Sequence, residues 1–184
     1  MIRTKFSKRG IGFIILCVIV LAVLVLLGKF ILSRAIAKTP IDLTKDFMNK
    51  YKNASKEVMD KVNYPYDDEL TDNQLKRYKD IIKTQYLALD YDITDEYVGE
   101  SDAIIKVEFE VFDYASGYEK ASSYLSLYEK DMSLEKQVDY KLDEMSKTKE
   151  KMKYSISFAY YKLDGKWIMT ELTKTDLQKL TGTF

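Results

Sequence analysis

The chain has 184 residues, in which 29 Lys and Arg balance 29 Asp and Glu, with one Cys and no His. Without His there is no His-based triad, imidazole general base or imidazole metal ligand. A lone Cys allows neither an internal disulfide nor a Cys-rich metal centre, and the length suits one domain with extra segments.

The neutral total hides a division. Residues 1–38 hold seven bases and no acid, so the other 22 bases share 39–184 with all 29 acids, giving +7 and −7. Such asymmetry points to different surroundings for the two parts. Between the basic clusters, Ile11–Leu27 is uncharged and almost wholly Ile, Leu, Val and Phe. Seventeen helical residues rise roughly 26 Å, and continuing to Leu32 exceeds the roughly 30 Å hydrocarbon core. The pattern predicts a basic cytoplasmic tail (1–10), a transmembrane helix (11–32), a linker (33–39) and an extracytoplasmic domain (40–184). Basic residues crowd residues 1–9 more densely than the far flank, which favours the N-terminus inside. The rival reading is a cleaved signal peptide and a secreted product, because Ala35-Ile36-Ala37 fits a small-residue cleavage site. Against it, the apolar run exceeds the usual h-region and Arg34 sits beside the site. Lys far outnumbers Arg, a bias of AT-rich, commonly bacterial genomes.

Thr39-Pro40 opens the first element of the outer domain, a good N-cap followed by a good first helical residue. Leu43, Phe47, Tyr51, Ala54, Val58 and Val62 recur at three and four, predicting one helix over about 40–62. Thr71 and Gln74 form a capping box for a second helix to about 88, with Asp67, Asp68 and Glu69 favourably placed at its positive end. The period then becomes two. Tyr91, Ile93 and Tyr97 are expected on one face, opposite Asp92 and Glu96, and Gly99–Asp102 forms a turn. Ile105, Val107, Phe109 and Val111 alternate with Lys106, Glu108 and Glu110, the pattern of a half-buried antiparallel strand.

Ser116 and Glu119 read as a capping box for a third helix, with Asp113 as an alternative cap. Leu134, Val138, Leu142 and Met145 mark a fourth, to about 150, with Asp143 and Lys147 as an i,i+4 pair. Met152–Tyr160 alternates, Asp164-Gly165 suits a type I′ turn, and Lys166–Thr173 returns, pairing Lys162 with Trp167 and Tyr160 with Met169. A short helical turn over 176–180 ends the chain. The expected class is α+β, with helices packed mainly on one face of an antiparallel sheet.

The segments Ile104–Tyr114, Tyr154–Leu163, Asp164-Gly165-Lys166-Trp167-Ile168 and the tail Asp176–Leu180 carry a resemblance. Two leading helices, then a sheet closing with a Tyr-rich strand, an Asp-Gly turn and a Trp-bearing strand, resemble the nuclear-transport-factor-2-like (cystatin-like cone) superfamily. More narrowly, the chain is similar to membrane-anchored or lipoprotein versions from Gram-positive bacteria. The resemblance implies a curved sheet and a pocket between sheet and helices, for which Tyr86, Phe109, Phe158, Tyr160 and Trp167 are the expected lining. It does not imply one function, because this fold serves enzymes, binders and assembly modules.

Enzymes on this fold pair an Asp with a His or Tyr. Here His is absent and no Asp–Tyr spacing stands out, which weighs against a cyclase- or isomerase-like activity. Asp90-x-Asp92-x-Thr94 lacks the Gly and Glu of a calcium loop, so alternating strand acids explain it better. No metal or cofactor is expected. The −7 domain shows no basic stripe for nucleic acid. Binding of a small ligand or an envelope protein, without catalysis, is the reading that remains. The alternative is a structural part of a membrane assembly, similar to the inner-membrane cone component of type IV (conjugative) secretion systems.

Overall fold

The computed structural model describes residues 38–184, of which Thr39–Phe184 form a compact unit. The span expected at 11–32 and its basic tail lie outside the described residues. Among those described, no helix is long and apolar enough to cross a membrane.

Thr39 and Asp42 cap helix α1 (Pro40–Lys52) reciprocally: the Asp42 N–H donates to Thr39 Oγ1 at 3.1 Å, and the Thr39 N–H to Asp42 Oδ2 at 3.1 Å. The continuous helix expected to residue 62 is interrupted. Ala54 adopts φ 45°, its N–H donates to Tyr51 O at 2.8 Å, and the Ser55 N–H donates to Lys50 O at 2.9 Å. That is the Schellman ending, with Ala where Gly is usual. A new short helix, α2 (Lys56–Asp60), follows. The left-handed backbone costs an L-residue roughly 1–2 kcal/mol, so Ala54→Gly is expected to stabilise the fold by about 0.5–1 kcal/mol in urea unfolding.

Helix α3 (Asp72–Leu87) starts on the expected capping box, with the Gln74 N–H on Thr71 Oγ1 at 3.3 Å and the Thr71 N–H on Gln74 Oε1 at 3.0 Å. Strands β1 (Asp90–Val98) and β2 (Asp102–Phe112) form a hairpin. Helix α4 (Tyr114–Tyr128) then begins on Asp113, whose Oδ1 accepts from the Ser116 N–H at 3.1 Å. Asp113 is therefore the cap, and the Ser116/Glu119 box is not. Helix α5 (Leu134–Lys147) runs back beside α4. The expected Asp143–Lys147 pair is replaced: Lys147 binds Glu144 at 2.8 Å, and Asp143 takes Arg77 of α3 at 2.5 Å.

Strand β3 (Lys151–Leu163) pairs with β2 along eleven positions and turns at Asp164 (φ 50°) and Gly165 (φ 77°) into β4 (Lys166–Met169). Tyr160 faces Met169 and Lys162 faces Trp167, the expected register. The last strand stops at Met169 rather than Thr173. Helix α6 (Lys174–Thr181) closes the chain. The result is α+β, with a four-stranded antiparallel sheet in the order β1-β2-β3-β4.

Alternation places Ile105, Val107, Phe109 and Val111 with Ile156, Phe158 and Tyr160 on the inner face. Met48 of α1 and Leu180 of α6 complete this core. A second core joins Val58 of α2, Tyr78, Ile82 and Tyr86 of α3, Tyr114 of α4, and Val138, Leu142 and Met145 of α5. Buried Gln85 ties the two together by accepting the Phe112 N–H at 2.7 Å.

One local irregularity changes which face a residue occupies. The β1 register skips Thr94, pairing Ile93 with Val107 but Asp95 with Lys106. An extra residue in one strand of an antiparallel pair is a β-bulge, and it reverses the alternation beyond it. Tyr97 therefore pairs with Ile104 on the outer face, and Glu96 pairs with Ile105 on the inner side. The expectation that Tyr97 shares a face with Tyr91 and Ile93 is corrected by this single residue.

Candidate binding groove

The break after α1 swings α2 and the chain beyond it around the end of the first helix. A groove of about 600 Å³ opens there, between α1, the 58–65 segment and the chain from Met169 to α6. Its floor is apolar: Phe47 and Tyr51 of α1, Val58, Val62, Tyr86 of α3, and Leu172. Phe47 and Tyr51 have ring centroids 4.8 Å apart, and Tyr51 meets Tyr86 edge-on at 5.1 Å. Lys61, Glu171 and Lys174 stand at the rim.

The phenols of this floor stay protonated at neutral pH. Burial, reinforced by the charge of Glu57, pushes Tyr51 up to about 12. Burial also raises Tyr86, helped by its neighbours Tyr51 and Tyr78. They offer ring faces and weak donors, not bases. Chemically, the groove suits an apolar or aromatic body with a polar head near the rim ammonium groups.

Of the five residues expected to line a pocket, Tyr86 lies on this floor. Phe158 and Tyr160 are fully buried in the sheet core. Phe158 supports the groove from below, meeting Phe47 edge-on at 5.3 Å. The Tyr160 hydroxyl shares a 2.6 Å hydrogen bond with Thr44 Oγ1. Phe109 lies further along the sheet, 6.4 Å from Tyr154. Trp167 is half-buried near the hairpin end, with Lys162 Nζ 5.2 Å from its ring. The fold does not gather the five around one cavity. Phe47 and Tyr51 belonged to a visible helical stripe. Leu172 and Leu177 fell where a longer strand and a short turn were expected, and only the early end of β4 places them on the groove.

A second constellation clamps the helical core. The Asp68 carboxylate receives Lys141 Nζ at 2.7 Å, the Tyr118 hydroxyl at 2.7 Å and the Tyr64 hydroxyl at 2.9 Å. Lys141 also donates to the Tyr118 oxygen at 3.2 Å and lies 4.8 Å from that ring's centroid. Tyr66 stacks on Tyr118, with ring centroids 3.6 Å apart and planes nearly parallel. Side-chain exposure is 12% for Lys141 and 19% for Asp68. Burial alone would raise the Asp68 carboxyl, but the hydrogen bonds from Lys141, Tyr118 and Tyr64 and the ammonium charge outweigh it, and its pKa falls. Burial would lower Lys141, and the same partners raise it instead. Asp68, expected simply to favour the start of α3, thus also joins the loop before α3 to α4 and α5.

Among the described residues, no group of three or more Cys, Asp or Glu is placed to hold a metal. Asp90 and Asp92 share the outer side of β1 across from Glu110 and Glu108, as strand alternation requires. No protein-family model, curated protein or solved structure matches the chain.

Proposed function

We propose that the chain is a single-pass membrane protein whose extracytoplasmic domain is a non-catalytic binding module of the cone-like kind. A small amphipathic ligand, or the matching side chains of an envelope protein, occupies the groove beside α1. The observation that carries this reading is the aromatic floor of Phe47, Tyr51 and Tyr86 beneath a charged rim. A concave, mostly apolar site with a few polar groups is the usual form of a ligand pocket. The apolar run at 11–32 supports the anchor. The bulged antiparallel sheet, with α1 and α6 on its inner face, supports the cone.

The test is a thermal-shift screen of amphipathic small molecules on the full chain in nanodiscs. A true ligand at about a hundredfold its Kd is expected to raise the midpoint by roughly 5–10 °C. Leu177→Arg, at the groove wall and 40% exposed, is expected to abolish the shift while leaving the ligand-free midpoint nearly unchanged. Equal shifts in both proteins would place the ligand elsewhere. A screen without any shift would remove the small-molecule branch.

A further inference from the structure

The outer face of the sheet is divided along its strands. Toward the Phe112 end it is polar, with Lys106–Glu108 and Lys153–Glu110 pairs at 3.5 and 3.4 Å. Toward the two turns it carries large apolar side chains, with Asp102 opposite Tyr161 and Lys166 opposite Leu163 at its margin. Tyr97, Ile104, Tyr161 and Leu163 are 57, 48, 47 and 53% exposed, and their register puts them in neighbouring rows of one face. A contiguous exposed apolar patch marks a contact surface.

The course of α1 indicates what covers it. Thr44 meets Tyr160 near the turn end of β3, whereas Lys52 reaches Asp90 at the far end of β1, 3.4 Å away. Thr39, where the described helix begins, therefore lies at the turn end of the sheet. The apolar run ends at Leu32, and the linker 33–39 extends at most about 25 Å. In the anchored reading, the linker therefore keeps Thr39 within about 25 Å of the end of the apolar run.

We infer that this end of the outer sheet face rests on the lipid bilayer, with Tyr97, Ile104, Tyr161 and Leu163 at the boundary between headgroups and acyl chains. The inference rests on the anchored reading above. Tyrosine suits that depth because its ring is apolar and its hydroxyl wet. Glu100 lies in the adjoining turn and Asp102 opens β2 opposite Tyr161, so the contact is made by the apolar side chains and not by a basic patch on anionic lipid. A second copy of the chain fits less well. Four half-exposed side chains offer on the order of 400 Å², against about 800 Å² per partner in a stable dimer.

The experiment uses the full chain with Cys17→Ala, reconstituted in phosphatidylcholine vesicles and spin-labelled at Leu163→Cys, Tyr161→Cys or Ser155→Cys. Ser155 lies on the same outer face, opposite Glu108, in the polar half. Relaxation by a water-soluble nickel complex is expected to fall several-fold at 161 and 163 relative to 155, while relaxation by oxygen rises, in low and high salt alike. Equal nickel accessibility at all three sites, with the chain still in the vesicles, overturns the inference and leaves the anchor standing. A chain that does not remain with the vesicles overturns both. Protection that grows with protein density, with spin–spin broadening, assigns the face to a second copy and also overturns it.

Discussion

Asp68→Ala is expected to lower the unfolding free energy by about 2–3 kcal/mol and the thermal midpoint by roughly 5–10 °C. The variant leaves the Lys141 ammonium, 12% exposed, without its carboxylate, and it strands the Tyr64 and Tyr118 hydroxyls. Removing one member of a buried pair costs about 3–5 kcal/mol, and the residual solvent contact here sets the figure below that range. Much of the loss is the unpaired charge rather than the bond. Asp68→Ala with Lys141→Met is therefore expected to recover a good part of it, which a double-mutant cycle by circular dichroism measures. A single-variant loss under about 0.5 kcal/mol would reduce the cluster to an ordinary surface pair. The pH dependence has a definite sign. The depressed Asp68 pKa stabilises the fold above the unfolded carboxylate value near 4, and this is lost as pH falls through the folded value. The raised Lys141 pKa stabilises it below about 10.4, and this is lost as pH rises through the folded value. The gap between wild type and Asp68→Ala is thus widest across the neutral range and narrows at both ends.

Phe158→Ala is expected to cost about 3–5 kcal/mol, the range for truncating a core aromatic. Phe158 is fully buried, paired across the ladder with Ile105 and edge-on to Phe47. The long ladder with β2 holds β3 in place at Phe158, and β4 pairs with it from Tyr160 onward, so the void cannot easily collapse. Phe158→Leu keeps most of the volume and is expected to lose less than about 1.5 kcal/mol. Urea unfolding with an unchanged m-value distinguishes a cavity from a general loosening. If alanine cost no more than leucine, Phe158 would be facing open space, as the lining of a pocket does, and not packed core.

These two residues also show what could be read from the chain alone. Phe158 was legible as an inward residue because Tyr154–Tyr160 alternates over a long strand, and Asp164-Gly165 set the register of its hairpin. Thr71 and Gln74 announced α3 by a local rule. Asp68 was legible only as a helix-end acid. Its partner Lys141 is 73 positions away on a charged helix, where one Lys resembles the next. The bulge at Thr94 and the turn at Ala54 lack the Gly that would have signalled them, so the face of Tyr97 and the end of α1 were missed. The groove depends on that missed break, and its lining comes from separate elements that meet only in the folded chain. No local pattern encodes such a meeting.

The α4–α5 hairpin has a kinetic consequence as well. It occupies the 38 residues between Phe112 and Lys151, which sit opposite each other in the sheet. The β1–β2 and β3–β4 hairpins close through short turns, but the seam between them must first bring distant segments together. Loop closure costs entropy before the pairing repays it, and such non-local contacts slow folding. If α4 and α5 associate early, they shorten that search by holding the ends of β2 and β3 near each other. The helical pair then acts as the clasp that lets two separate ribbons become one sheet.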